Sequence, residues 1–121
     1  MSESNVATRI EQAIRAYMQT CNDGDAARIA ACFGSDAVHY FPTVAKWSGA
    51  STIGANFAKR VQGLGHLWTV DSVVVDADRH AGVLEWTQFD KEGRILRGVD
   101  WFVFEPGWLP TRPGAPGVAG F

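Results

Sequence analysis

The residue whose setting asks most for a chemical explanation is Asp100, inside Arg97-Gly98-Val99-Asp100-Trp101-Phe102-Val103-Phe104. Side chains of a strand alternate between faces, so Asp100 shares a face with Phe102 and Phe104, while Val99, Trp101 and Val103 share the other. A carboxyl group on an aromatic face is costly to ionise. Desolvation is expected to raise its pKa toward the range where one group can both give and take a proton. The alternative is that Trp101 and Val103 face the core and Asp100 meets water.

Three other residues have the chemistry to work beside it. If Glu92-Gly93 are the central residues of a two-residue turn, Glu85 lies directly across from Asp100, with Cβ atoms ~5 Å apart. Two close carboxyls cannot both ionise cheaply, so one would keep its proton near neutrality. A three-residue turn would instead set Leu84 opposite Asp100 and send Glu85 outward. Tyr17 lies on an apolar helical stripe, so its buried hydroxyl needs a partner. That partner is either a substrate oxygen or, structurally, Asp100 or a backbone carbonyl. His39, in Val38-His39-Tyr40-Phe41, shares a face with Phe41. Its imidazole would titrate near neutrality and relay protons, unless it is simply a core or rim residue.

Other chemistries find no foothold in the pattern. His66 and His80 read as strand-start and turn residues, and no His/Cys/Asp group has metal-ligand spacing, so no metal is expected. No glycine-rich phosphate loop follows a strand and no GxSxG nucleophile motif occurs, so no cofactor is expected. Cys21 and Cys32 have no CxxC spacing and read as two buried thiols in a reducing compartment. The net charge is −2 and the eleven Lys and Arg are scattered, which argues against nucleic acid. No apolar run approaches the ~20 residues a membrane helix needs. Met1-Ser2-Glu3-Ser4-Asn5 lacks the features of a signal peptide, so the expected location is the cytoplasm. Aromatics make up 12% of the chain, with five Trp. Phe41, Trp47, Phe57 and Phe102 are the candidate walls of a ligand site, although such residues serve equally as core or interface.

These side chains must be held by elements legible in the spacing. The 121 residues, 46% of them hydrophobic, suit one domain. Val6, Ile10, Ala13, Ile14, Tyr17, Met18 and Cys21 form one stripe of a first helix. Asn22-Asp23-Gly24-Asp25 ends it and offers Asp25 as N-cap of a second, carrying Ala26, Ile29, Ala30 and Phe33. An extended piece runs from Asp36 to Phe41. Ser51 or Thr52 would cap a third helix whose inner face is Ile53, Phe57, Val61 and Leu64. The period then changes to two: strands over 66–75, 81–89 and 94–104, joined by turns at 76–79 and 90–93. Helices first and an antiparallel meander afterwards is an α+β pattern.

Several stretches carry a resemblance. Ile14-Arg15-Ala16-Tyr17 leads to Asn22-Asp23-Gly24-Asp25, and Ala31-Cys32-Phe33-Gly34-Ser35-Asp36-Ala37-Val38 follows. Trp47-Ser48-Gly49 stands before Ile53, and Gly98-Val99-Asp100-Trp101-Phe102 closes the pattern. Over residues 6–105 the chain resembles the nuclear-transport-factor-two-like superfamily, which includes ketosteroid isomerase, SnoaL-type polyketide cyclases, scytalone dehydratase and limonene epoxide hydrolase. The resemblance implies three N-terminal helices packed in a curved antiparallel sheet, a cone-shaped pocket for an apolar small molecule, and commonly a homodimer. Against ketosteroid isomerase, Tyr17 falls at the oxyanion tyrosine and Asp100 at the neutral aspartic acid beside it. The general-base position falls on Phe41, so His39 or Glu85 would have to move the proton. Leu84-Glu85-Trp86-Thr87-Gln88 lacks the arginine-x-aspartate of limonene epoxide hydrolase. In SnoaL-like cyclases an aspartate near Asp100 works with polar partners on the neighbouring strand, a part open to Glu85.

The end of the chain departs from that pattern. Residues 106–117 contain four prolines, each lacking the N–H a sheet ladder needs. The expectation is a cone-fold domain over 1–105 and an irregular tail over 106–121, with the superfamily's final strand missing or irregular. The function expected is cofactor-independent acid/base catalysis (isomerase, lyase, cyclase or hydrolase) on an apolar small molecule. A non-catalytic binding or dimerisation module of the same fold is the alternative.

Overall fold

The computed structural model describes residues 3–34, 38–41 and 45–104. Three helices precede a meander, as the periodicity predicts: α1 (Glu3–Asp23), α2 (Ala26–Ala30), β1 (Val38–Phe41), β2 (Ala45–Ser48), α3 (Ala50–Leu64), β3 (Leu67–Asp76), β4 (Ala81–Phe89) and β5 (Ile95–Val103). The strands form an antiparallel β1-β2 pair and an antiparallel sheet in the order β3-β4-β5. The fold is α+β. The expected tail over 106–121, and with it the irregular final strand, lies outside the described residues.

Helix α1 buries Ile10, Ala13, Ile14, Tyr17, Met18 and Cys21, which at its three- and four-residue spacing form one face toward β3 and β4. Asp25 caps α2 as expected, Oδ1 accepting from the Ala27 and Arg28 amides at 3.0 and 3.2 Å. The third helix differs. It begins at Ala50, with Gly49 at the N-cap and no side-chain cap bond, so Ser51 and Thr52 lie inside its first turn. Ile53, Gly54, Phe57 and Ala58 are its buried residues. The short strand β2 was not apparent in the periodicity, since four residues are too few to show a period.

The sheet owes an irregularity to Asp71. Register shifts between Val70 and Ser72, so the inward set changes from Trp68 and Val70 to Val73 and Val75. The Asp71 carboxylate accepts from the hydroxyls of Thr69 and Thr87 and faces Arg97 at 3.7 Å, which fixes the bulge on the outer face. At the α1 end of β3, the Asn22 amide pairs with both backbone groups of Trp68. Its Nδ2 donates to Trp68 O and its Oδ1 accepts from Trp68 N, each at 2.8 Å.

Candidate functional site

Among the described residues, the side chains that converge inside the fold come from six elements. Tyr17 and Met18 descend from α1, His39 from β1 and Phe57 from α3, while Trp68, Trp86 and Asp100 rise from β3, β4 and β5. The hollow between them is narrow, with about 10 Å³ free for the centre of a water-sized body, room for roughly one water. Among the described residues lining it, Asp100 is the only carboxyl.

Asp100 is part-buried on the inner side of β5, with Phe102 and Phe104 beyond it, both nearly inaccessible. The face expected from strand alternation is therefore the one it occupies, and Val99, Trp101 and Val103 are exposed on the other. Desolvation raises the Asp100 pKa from an ordinary 3.8 to about 6, opposed by a hydrogen bond from the Trp86 indole N–H to the carboxylate. Gly98, cross-strand from Trp86, makes that bond possible. A Cβ at residue 98 would sit 2.6 Å from Trp86 Cζ2, inside van der Waals contact, so a side chain there would displace the indole.

Tyr17 is fully buried, edge-on to Phe33 at 5.5 Å and to Phe102 at 5.4 Å. Its hydroxyl donates to the Cys21 sulfur one helical turn on, and burial, then the nearby Cys21 and Asp100, hold its pKa well above the ordinary tyrosine value. Cys21 and Cys32 are both free and buried, and burial pushes each thiol pKa up.

His39 is buried, stacked on Trp47 at 5.7 Å and 27° and edge-on to Phe57 at 5.1 Å. Burial lowers its pKa from 6.5 to about 4. This corrects the expectation of titration near neutrality, because an imidazolium among aromatic rings loses the water that stabilises it.

Glu85 does not join the group. It pairs with Val99, and Leu84 stands opposite Asp100. The reason lies in the turn. Gly93 takes φ +79°, the Asp90 N–H bonds Arg94 O at 3.2 Å and the Gly93 N–H bonds Asp90 O at 3.0 Å. That leaves Lys91-Glu92-Gly93 as a three-residue loop with a left-handed glycine in last place. Relative to a two-residue turn the register moves by one, and Glu85 goes to solvent. The Asp90 carboxylate accepts from the Glu92 and Arg94 amides and secures the loop.

Of the expected ligand walls, Phe57 lines the hollow. Trp47 is one layer out, against His39 and Phe57. Phe102 lies beside Tyr17 in the core. The side chain of Phe41 lies outside the described residues. Met18, Trp68 and Trp86 also line the hollow, and sequence reasoning did not assign them there. Trp86 carried no readable signal, because it stands across from Gly98 only in the register that the three-residue loop sets.

With this geometry in view, comparison places the chain among known proteins. The model of the SnoaL-like domain family matches residues 14–108. The chain belongs to that family. A protein of unknown function with a cystatin-like fold, from Methylobium petroleophilum, is 31% identical. Its TM-score is 0.80, over 94% of this chain and 73% of that one. A putative polyketide cyclase from Sinorhizobium meliloti is 13% identical at TM-score 0.68, with 99% and 96% of the two chains covered. SalBIII, an epoxide hydrolase/cyclase-like enzyme of pyran ring formation in the polyether salinomycin, is 14% identical at TM-score 0.72, covering 93% and 87%. At those last two identities the likeness is one of fold. No curated protein matches the sequence. Among the described residues of this SnoaL-like chain, no helix is long and apolar enough to cross a membrane.

Proposed function

We propose that this SnoaL-like protein binds an apolar small molecule in the hollow between its helices and sheet and carries out cofactor-independent acid/base chemistry on it. The observation that carries the proposal is a part-buried carboxyl, Asp100, raised to about 6 in a hollow walled by Tyr17, His39 and aromatic rings. Near neutral pH a fraction of such a group is protonated, and the rest is a base stronger than an ordinary carboxylate. Asp100 donates a proton or hydrogen bond to a substrate oxygen (a carbonyl, hydroxyl or epoxide). His39, uncharged at that pH, is the acceptor, and Tyr17 is the second donor once its hydroxyl turns from Cys21 to the ligand. The names of the structural neighbours, a putative polyketide cyclase and an epoxide hydrolase/cyclase-like enzyme, support ring closure or epoxide opening over other acid/base reactions.

The test is product analysis after incubation with apolar hydroxy-epoxide and enone compounds. Conversion is expected, and Asp100→Asn should slow it ~100-fold or more. A variant at full rate refutes the assignment. A second reading, a ligand carrier without catalysis, is favoured by the outward turn of Glu85, which leaves one carboxyl among the described residues of the hollow. Unchanged ligand in every incubation would select it. We also propose that two copies pair through the outer sheet face, where Val74, Val99 and Trp101 are exposed at 66, 63 and 46%. Sedimentation showing a monomer at high concentration would exclude that pairing.

A further inference from the structure

A second concavity lies on the outer side of α3, and one of its lining side chains, Trp47, packs against residues that line the inner hollow. It is a groove of about 500 Å³, lined by Trp47, Asn56, Lys59, Arg60, Gly63 and Leu64, a volume typical of small-molecule sites. The inner hollow, with its single-water space, is far too small for a substrate as it stands. Trp47 belongs to both regions. It lines the groove, and the Arg60 guanidinium sits 5.6 Å from its ring centroid. It also stacks on His39 and meets Phe57 edge-on at 5.4 Å, and both of those line the hollow. Among the described residues lining the groove two are cationic and none is acidic.

We propose that the groove is the mouth of the inner hollow, that Trp47 is the gate between them, and that the ligand is an apolar molecule carrying one oxyanion, which Lys59 and Arg60 hold at the mouth. This rests on the reading that the hollow binds an apolar molecule. Arg60 on the indole holds the gate shut through a cation–π contact. An arriving carboxylate or phosphate offers the guanidinium a charge-assisted hydrogen bond, which is the stronger interaction. Arg60 then leaves the ring, Trp47 swings from His39, and the apolar body enters the joined space beside Tyr17 and Asp100. The fixed distance from mouth to hollow selects molecules whose charged end is remote from the reacting oxygen.

Fluorescence titration with a matched pair of probes tests this: anilinonaphthalene sulfonate, which is anionic, and its neutral parent phenylnaphthylamine. Wild type should prefer the sulfonate about tenfold. Lys59→Gln with Arg60→Gln should abolish the preference, so that the two probes bind with equal affinity. No preference in wild type, or one that survives the double substitution, overturns the anion site. In stopped-flow mixing Trp47→Ala should speed entry of both probes by about tenfold. Trp47→Phe, which keeps a ring against His39 and guards against misfolding, should give a smaller gain; unchanged rates in both variants overturn the gate. Met18→Trp, which fills the hollow, separates the two levels. If the parent still binds, the hollow is not its seat and the underlying reading fails. If the parent is lost with Met18→Trp while wild type ignores charge, only the mouth proposal fails.

Discussion

Asp100 and His39 line one hollow, and burial shifts their pKa values in opposite directions, so stability should respond to pH in opposite ways when either is removed. Asp100 moves from 3.8 to about 6. Its contribution is fully present below pH 3.8 and is lost as pH rises through about 6. At about 1.4 kcal/mol per pKa unit the loss is about 3 kcal/mol. His39 moves from 6.5 down to about 4. Its contribution is present above pH 6.5 and is lost as pH falls through about 4, again by about 3 kcal/mol. In the wild type the two slopes largely cancel between pH 4 and 6.5. Asp100→Asn removes the falling term, so its stability relative to wild type should climb by about 3 kcal/mol across that window. His39→Gln removes the rising term, so its relative stability should drop by a similar amount. Urea unfolding followed by the fluorescence of the five Trp, repeated from pH 4 to 7, measures both. Surface carboxylates such as Asp71 and Asp90, which hydrogen bonds hold below the ordinary value, are common to all three proteins and cancel in the comparison. A variant profile that runs parallel to wild type would mean that the residue removed does not shift its titration between pH 4 and 6.5 on folding.

Two further predictions concern how the site is held. Gly98→Ala should push the Trp86 indole off the carboxylate, cost about 1–3 kcal/mol through overpacking and raise the Asp100 pKa further, which a carboxyl-carbon NMR titration of the variant checks. Asn22→Ala leaves both backbone groups of Trp68 without their side-chain partners, and should cost about 2–3 kcal/mol in urea unfolding, whereas loss under 0.5 kcal/mol would mean water replaces the amide.

What could be read from the sequence was local. The α1 stripe, the Asp25 cap and the face of Asp100 depend on spacing within one element, and the elements formed where their periods predicted. The position of Glu85 did not have that protection. A single residue of loop length decides which side of the sheet it faces, and the deciding signs, Asp90 before the loop and Gly93 in its left-handed last place, also suit a shorter turn. The bulge at Asp71 was hidden for a similar reason, since one extra residue reverses alternation without disturbing composition. Least legible were the contacts that tune the site. The bonds from Trp86 to Asp100 and from Tyr17 to Cys21, and the aromatic burial that suppresses His39, arise only when separate elements pack. Sequence chemistry named the groups, and packing set their protonation.

The carboxyl of Asp100 keeps its proton above the ordinary aspartate range because β5 holds it away from water on the inner face. A carboxyl-carbon NMR titration of the wild-type protein, with Asp100 assigned by its absence in Asp100→Asn, measures this directly. A midpoint at about pH 6 is expected. A midpoint at or below the ordinary 3.8 would contradict it.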